Sequence, residues 1–184
     1  WESASFMSKN ALPPITLVLG GARSGKSRFA EELIERTGEP GLYLATAEPR
    51  DEEMRARIAA HRAQRGAHWT TTEEPLELVN VLLAEETRPV LIDCLTLWLS
   101  NLMGAKRDIG FETARLFAVL SKAKMPVVMV ANEVGLGIVP DNAMARDFRD
   151  RAGRLNQSIA KQAQRVVFMT AGLPMTLKEM PLKG

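Results

Sequence analysis

"GGARSGKSRF", Gly20 to Phe29, follows the apolar run Ile15-Thr16-Leu17-Val18-Leu19 and leads into "AEELIER". Gly20, Gly25, Lys26 and Ser27 fit the pattern G-x(4)-G-K-[ST], and a strand before it with a helix after it is the setting in which that pattern cradles phosphate. The glycines let the backbone N–H groups of Gly21, Ala22, Arg23, Ser24 and Gly25 turn inward, while the helix beginning at Lys26 aims its positive end at the same point. Lys26 then reaches the β- and γ-phosphates, and the Ser27 hydroxyl is offered to Mg2+. The alternative is a glycine-rich turn that binds nothing.

Outward from this loop, the chain alternates short β-rich runs with longer helical windows, the pattern of a parallel sheet wrapped by helices. Strands are expected at Ile15–Leu19, Leu42–Thr46, Val90–Cys94, Val127–Ala131 and Val166–Thr170. Their apolar runs are nearly continuous, as in strands covered on both faces. Helices are expected at Lys26–Thr37, Asp51–Arg65, Leu76–Glu86 with Pro75 at its first turn, Leu95–Met103, Glu112–Lys122 and Ala143–Gln164. "HWTTTEE", His68 to Glu74, has β-branched character but is too short to place. The fold class is therefore α/β, P-loop NTPase-like, with a mostly parallel sheet flanked by helices.

The 184 residues suit one domain, and 46% hydrophobic with 25% charged residues is ordinary for a soluble globular protein. A formal charge of +2 favours small anionic ligands over nucleic acid, which calls for a dense basic stripe. The lone Cys94 forms no intrachain disulfide, and no Cys/His cluster has metal-ligand spacing, which points to a reducing cytoplasm. Pro126 to Pro140 is the longest apolar-rich stretch, but Asn132 and Glu133 interrupt it, so no membrane span is expected. "WESASF" before Met7 reads as a cloning remnant, leaving residues 7–184 as the expected domain.

Further candidates for chemistry lie away from the loop. A magnesium ion needs a carboxylate as well as Ser27, usually from the end of a buried strand adjacent to the loop, and "PVLIDC" offers Asp93. A strand-terminal Asp that merely caps the next helix is the other reading. In "DEEMRARIAAHRAQRG", Met54, Ile58 and His61 share a helical stripe, with Arg57 and Arg65 four residues to either side of His61. Periodicity allows a partly buried packing histidine. It leaves room for a neutral nucleophilic imidazole whose flanking arginines neutralise a phosphate under attack. His68 lacks such company and reads as a surface or packing residue. "VVMVANEVGLGIVPDN" presents Asn132 and Glu133 at a strand exit, either a plain glycine turn or a polar pair at the ligand-binding edge. The charges of "ARDFRDRAGRLNQ" read as a solvated helix face.

Taken together, "GGARSGKSRFAE", "YLATAE", "DEEMRARIAAHRAQR", "HWTTTE", "LIDCLTLWLSNL" and "NEVGLGIVPDNAMARDFRDRAGRLNQ" resemble the bifunctional adenosylcobinamide kinase/adenosylcobinamide-phosphate guanylyltransferase family of cobalamin biosynthesis, from about Ile15 to Gly172. The resemblance implies a fold like the RecA and adenylate kinase cores with one antiparallel strand added, assembled as a homotrimer. It implies that His61 becomes guanylylated. It puts nucleotide contacts on Gly20 to Ser27, on Ala45, Thr46 and Ala47, on Arg62, Ala63, Gln64 and Arg65, on Glu73, and on Asp93. The implied substrates are ATP or GTP with Mg2+, adenosylcobinamide and its phosphate. The competing expectations are a P-loop kinase with a single activity and an inert His61, or a nucleotide-responsive binding module.

Overall fold

The run around Leu17 forms β1 (Ile15–Gly20), and all six of its residues are buried. In the computed structural model the described residues are 12–48, 52 and 66–181. After β1 come α1 (Lys26–Glu35), β2 (Gly41–Ala45), β3 (Trp69–Glu73), α2 (Leu78–Ala84), β4 (Val90–Asp93), α3 (Leu95–Gly104), α4 (Ile109–Leu120), β5 (Val127–Asn132), α5 (Ala143–Gln162), β6 (Arg165–Thr170) and β7 (Leu173–Glu179). The strands make one sheet in the order β3-β2-β4-β5-β1-β6-β7. Every neighbouring pair is parallel except β6 and β7.

Successive side chains of a strand point to opposite faces, so a strand buried on both is apolar at nearly every position. Leu17, Leu44, Ile92 and Met129 face one side, where they pack with Trp98, Leu99, Leu102, Leu116 and Ile159. Val18, Tyr43, Leu91 and Val128 face the other, against Ala30, Leu33 and Ile34 of α1. The first core thus belongs to α2–α5 and the second to α1.

The five expected strands are present, each within a residue of its predicted start. The unplaced "HWTTTEE" contributes β3, which pairs with β2 from Gly41↔Trp69 to Ala45↔Glu73. An edge position explains its half-polar pattern. Strand β7 carries Pro174, which breaks a strand signal, yet an edge strand tolerates a missing N–H. It supplies the one antiparallel strand that the resemblance implies.

Helix boundaries shift for local reasons. Helix α4 starts at Ile109, three residues before the expected Glu112, because Asp108 caps it by accepting from the Phe111 N–H at 3.0 Å. Helix α1 ends at Glu35 rather than Thr37, and Gly38 leaves it with φ +78°. Helix α2 covers only Leu78–Ala84, since the Glu74 carboxylate takes the Leu76 and Glu77 N–H groups in a turn after Pro75. The helix expected at Asp51–Arg65 lies outside the described residues. No helix among the described residues is long and apolar enough to cross a membrane.

Candidate active site

The site is built at the carboxyl edge of the sheet, beginning with the loop between β1 and α1. Gly25 caps α1 with φ +90°, and no side chain takes over the helix's first N–H groups. Those donors, with the helix's positive end, face outward as an anion cradle. Lys26, the first helical residue, is 9% exposed, and its Nζ donates to the Gly21 carbonyl at 2.9 Å. The ammonium is thus folded over the loop that it would share with a phosphate.

The far end of the chain braces this loop. Ala171 and Gly172 have φ +51° and +77°, forming the two-residue turn of the β6–β7 hairpin. The Gly172 N–H donates to the Ser24 carbonyl at 3.1 Å, and the Glu133 N–H donates to the Gly20 carbonyl at 3.1 Å. The Ser24 Oγ is buried with no hydrogen-bond partner among the described residues.

Gly20 is required by close approach. A Cβ there would lie 2.6 Å from the Met169 carbonyl oxygen and 2.5 Å from the Ser24 Oγ. Gly20→Ala must therefore push β1 and the loop away from β6. We expect a loss of about 1–3 kcal/mol of stability, as for overpacked cores, together with weaker triphosphate binding. Thermal melts and a nucleotide titration check this, and an unchanged melting temperature would contradict it.

Across the sheet, Ala45 is the register partner of both Glu73 and Asp93, and Asp93 is opposite Val130. Gly20 is opposite Asn132. The ends of β3, β2, β4, β5 and β1 thus bring Glu73, Ala45, Asp93 and the phosphate loop to one edge. Strand β4 is not adjacent to the loop strand, as the sequence reading had assumed for the carboxylate. Strand β5 lies between them, and two strand spacings separate β4 from β1 by about 10 Å.

The end of β4 is held firmly. The Thr46 Oγ1 donates to the Cys94 carbonyl at 2.7 Å and accepts the Cys94 N–H at 2.8 Å. The Thr46 N–H donates to the Asp93 carbonyl at 3.0 Å, and the Asn101 amide holds the Thr46 carbonyl at 2.8 Å. The predicted contact Thr46 is fully buried, with its hydroxyl engaged by backbone. Ala47 follows it, half-buried at the edge. Burial pushes the Cys94 thiol up to about 11 and the Asp93 carboxylate adds to this, while the Leu97 and Thr96 N–H groups and the charge of Lys26 oppose it. Cys94 itself is a protonated thiol at neutral pH, capping α3 by accepting from the Leu97 N–H at 3.5 Å.

Sequence reading missed one contributor, Tyr43. Its Oη donates to the Asp93 Oδ2 at 2.5 Å. The available signal was a sole tyrosine inside an apolar strand, whose buried hydroxyl needs a partner.

At the β5 exit, the Asn132 N–H donates to the Thr96 Oγ1 at 2.7 Å, and the Asn156 amide holds the Asn132 carbonyl at 3.3 Å. The Glu133 carboxylate accepts the Gly135 N–H at 2.6 Å, closing the glycine turn. Arg146 ties the following loop to α5 by donating to the Pro140 and Asp141 carbonyls at 2.9 and 2.8 Å. The α5 charges include the surface pair Arg151–Asp147 at 2.8 Å, matching a solvated face. His68 packs its ring edge-on against Trp69, with centroids 5.9 Å apart, as a packing residue would. His61, Arg62, Ala63, Gln64 and Arg65 lie outside the described residues.

For a hard cation the donor set is chemically apt. The Ser27 hydroxyl and the Asp93 carboxylate are oxygen ligands of the kind that Mg2+ shares with nucleotide phosphates. Oδ2 of Asp93 is the oxygen that accepts from Tyr43.

Comparison with known proteins agrees with this architecture. Among solved structures, the flagellar accessory protein FlaH from Methanocaldococcus jannaschii superimposes with a TM-score of 0.53 at 9% identity, covering 92% of this chain and 80% of that one. An ATPase from the type III secretion system of pathogenic bacteria gives 0.52 at 11% identity, over 88% and 56%. These likenesses concern the fold alone. The bifunctional adenosylcobalamin biosynthesis protein CobP of Pseudomonas aeruginosa is 49% identical over 170 residues, covering 90% of this chain and 98% of its own. The bifunctional adenosylcobalamin biosynthesis protein CobU of Escherichia coli K12 is 40% identical over 179 residues, covering 88% and 98%. The family described as cobinamide kinase / cobinamide phosphate guanyltransferase matches residues 16–177, from the second residue of β1 almost to the end of β7, and the chain belongs to it.

Proposed function

We infer that this protein is a bifunctional transferase of cobalamin biosynthesis that phosphorylates adenosylcobinamide with ATP or GTP and then transfers GMP from GTP to the product. The observation that carries the reading is a complete phosphate loop on the β1–α1 junction, inside a family match that spans the described fold.

In the kinase step the loop N–H groups, the N-terminus of α1 and Lys26 hold the triphosphate. The hydroxyl of the corrinoid's aminopropanol arm attacks the γ-phosphorus, the bond to the nucleoside diphosphate breaks, and the hydroxyl proton passes to solvent water. Catalysis here is positioning and charge neutralisation. Ser27 and Asp93 would hold Mg2+, which when bound neutralises phosphate charge.

In the second step a ring nitrogen of His61 attacks the α-phosphorus of GTP and pyrophosphate leaves, giving a phosphoramidate. A phosphate oxygen of adenosylcobinamide phosphate then attacks that phosphorus. The P–N bond breaks, the histidine is regenerated and adenosylcobinamide-GDP is released. Arg62 to Arg65, Ala45 to Ala47 and Glu73 complete the nucleotide site in this reading.

The protein works in the cytoplasm as a homotrimer. Two surfaces suit subunit contact: Leu173, Met175 and Leu177 on β7, and Leu136, Ile138 and Val139 after β5, all exposed apolar side chains.

Intact-protein mass spectrometry after incubation with GTP and Mg2+ tests the reading. A gain of one guanylyl group, discharged on adding adenosylcobinamide phosphate, is expected. Corrinoid phosphorylation without any adduct would reduce the protein to a kinase of single activity.

A further inference from the structure

We propose that Tyr43 is a positioning residue for the Asp93 carboxylate, fixing one of its oxygens so that the other is presented to the nucleotide-bound cation. The inference rests on the reading of Asp93 as a cation ligand given above.

Tyr43 and Leu91 are register partners on neighbouring strands. Asp93, two residues beyond Leu91, therefore lies on the same face of the sheet as Tyr43. That face is the one covered by α1, whose first turn carries Lys26 and Ser27. The tyrosine, the acid and the loop's cation-binding hydroxyl thus share one side of the carboxyl edge.

The phenol is held for this task. Tyr43 is 3% exposed, and its ring meets Trp69 edge-on, with centroids 5.8 Å apart and planes at 83°. Trp69 in turn donates from its indole to the Glu35 Oε1 at 3.0 Å, which ties the pair to α1. A ring fixed on two sides has one direction for its hydroxyl, and that direction ends on the Asp93 Oδ2 at 2.5 Å. A hydrogen bond to a carboxylate is stronger than one between neutral groups and carries geometric information. Packing alone does not call for it, because the surrounding cluster of Val18, Leu33, Ile34 and Leu91 would accept phenylalanine.

Freed from the phenol, Asp93 would have to be ordered by the cation itself. Tyr43→Phe should therefore weaken Mn2+ binding to the complex with a non-hydrolysable GTP analogue by about tenfold, the low end of the scale of one hydrogen bond to a charged group. Electron paramagnetic resonance of free Mn2+ measures this. Raising the metal concentration should restore kinase turnover nearly to the parent value, whereas Asp93→Asn should weaken Mn2+ binding further. Because Tyr43 is the sole tyrosine, ring-labelled tyrosine also gives its signal alone by NMR in the unaltered protein. Its Cζ resonance should move when Mg2+ joins the analogue complex, and should not move in Asp93→Asn.

If Tyr43→Phe binds Mn2+ like the parent while Asp93→Asn does not, Tyr43 is a packing residue and the inference fails, with the reading of Asp93 intact. If neither variant alters Mn2+ binding, Asp93 is no cation ligand and both fail. A Cζ resonance in the parent that ignores Mg2+ also overturns the inference, whether or not Tyr43→Phe folds.

Discussion

Lys26→Ala should reduce phosphorylation of adenosylcobinamide on the order of 10²–10³-fold, the usual loss when one preorganised electrostatic group is taken from a transition state. The lysine begins α1, is almost fully buried, and turns its ammonium back over the loop to the Gly21 carbonyl. In the proposed mechanism it is the point charge that meets the bridging oxygen of the triphosphate as the γ-phosphoryl departs. Alanine is a good helix former, so α1 should persist, and the N–H groups from Gly21 to Gly25 still form the cradle. Binding should suffer less than turnover. Circular dichroism with a kinase assay at saturating nucleotide checks the result, and turnover equal to the parent's would remove the lysine from the mechanism.

His61→Asn should separate the two reactions. The γ-phosphoryl group passes straight to the substrate hydroxyl, so kinase activity should remain measurable without the imidazole. Guanylyl transfer loses its covalent route and should fall on the order of 10³-fold or more. Parent protein given α-labelled GTP should keep the label through denaturation. The label should be labile in mild acid, stable in base, and map to the peptide containing His61, as a phosphoramidate would. Label retained by the Asn variant, or never acquired by the parent, would place the nucleophile elsewhere. Loss of both activities in a folded variant would mean that the segment carrying Arg57, Arg62 and Arg65 also shapes the kinase site.

The centre of the sheet was legible because burial on both faces leaves strands such as "VLI" and "VVMVA" no polar positions. The edges were not. In β3, Thr70 to Thr72 alternate weakly because one side meets solvent, and β7 hides its pairing behind Pro174. The phosphate loop could be read in full, since its chemistry is local: two glycines, a lysine and a serine at fixed spacing. The link between Tyr43 and Asp93 could not. It spans 50 residues and exists only because β2 and β4 are neighbours in one particular register.

The placement of β1 has a consequence for biosynthesis. Although β1 precedes the other strands of the described sheet, its sheet partners are β5 and β6, and one brace on its loop is the Gly172 turn. Such non-local pairings reward the chain only after long loops have closed. On the ribosome, the strand that leads into the glycine-rich loop must therefore wait, unpaired and largely apolar, until Val127 and then Arg165 have emerged. Strands β2 and β4 can associate earlier, leaving the phosphate cradle among the last parts of the molecule to take shape. A release of the chain short of Gly172 would yield a sheet that is largely assembled around a loop lacking the N–H that braces the Ser24 carbonyl.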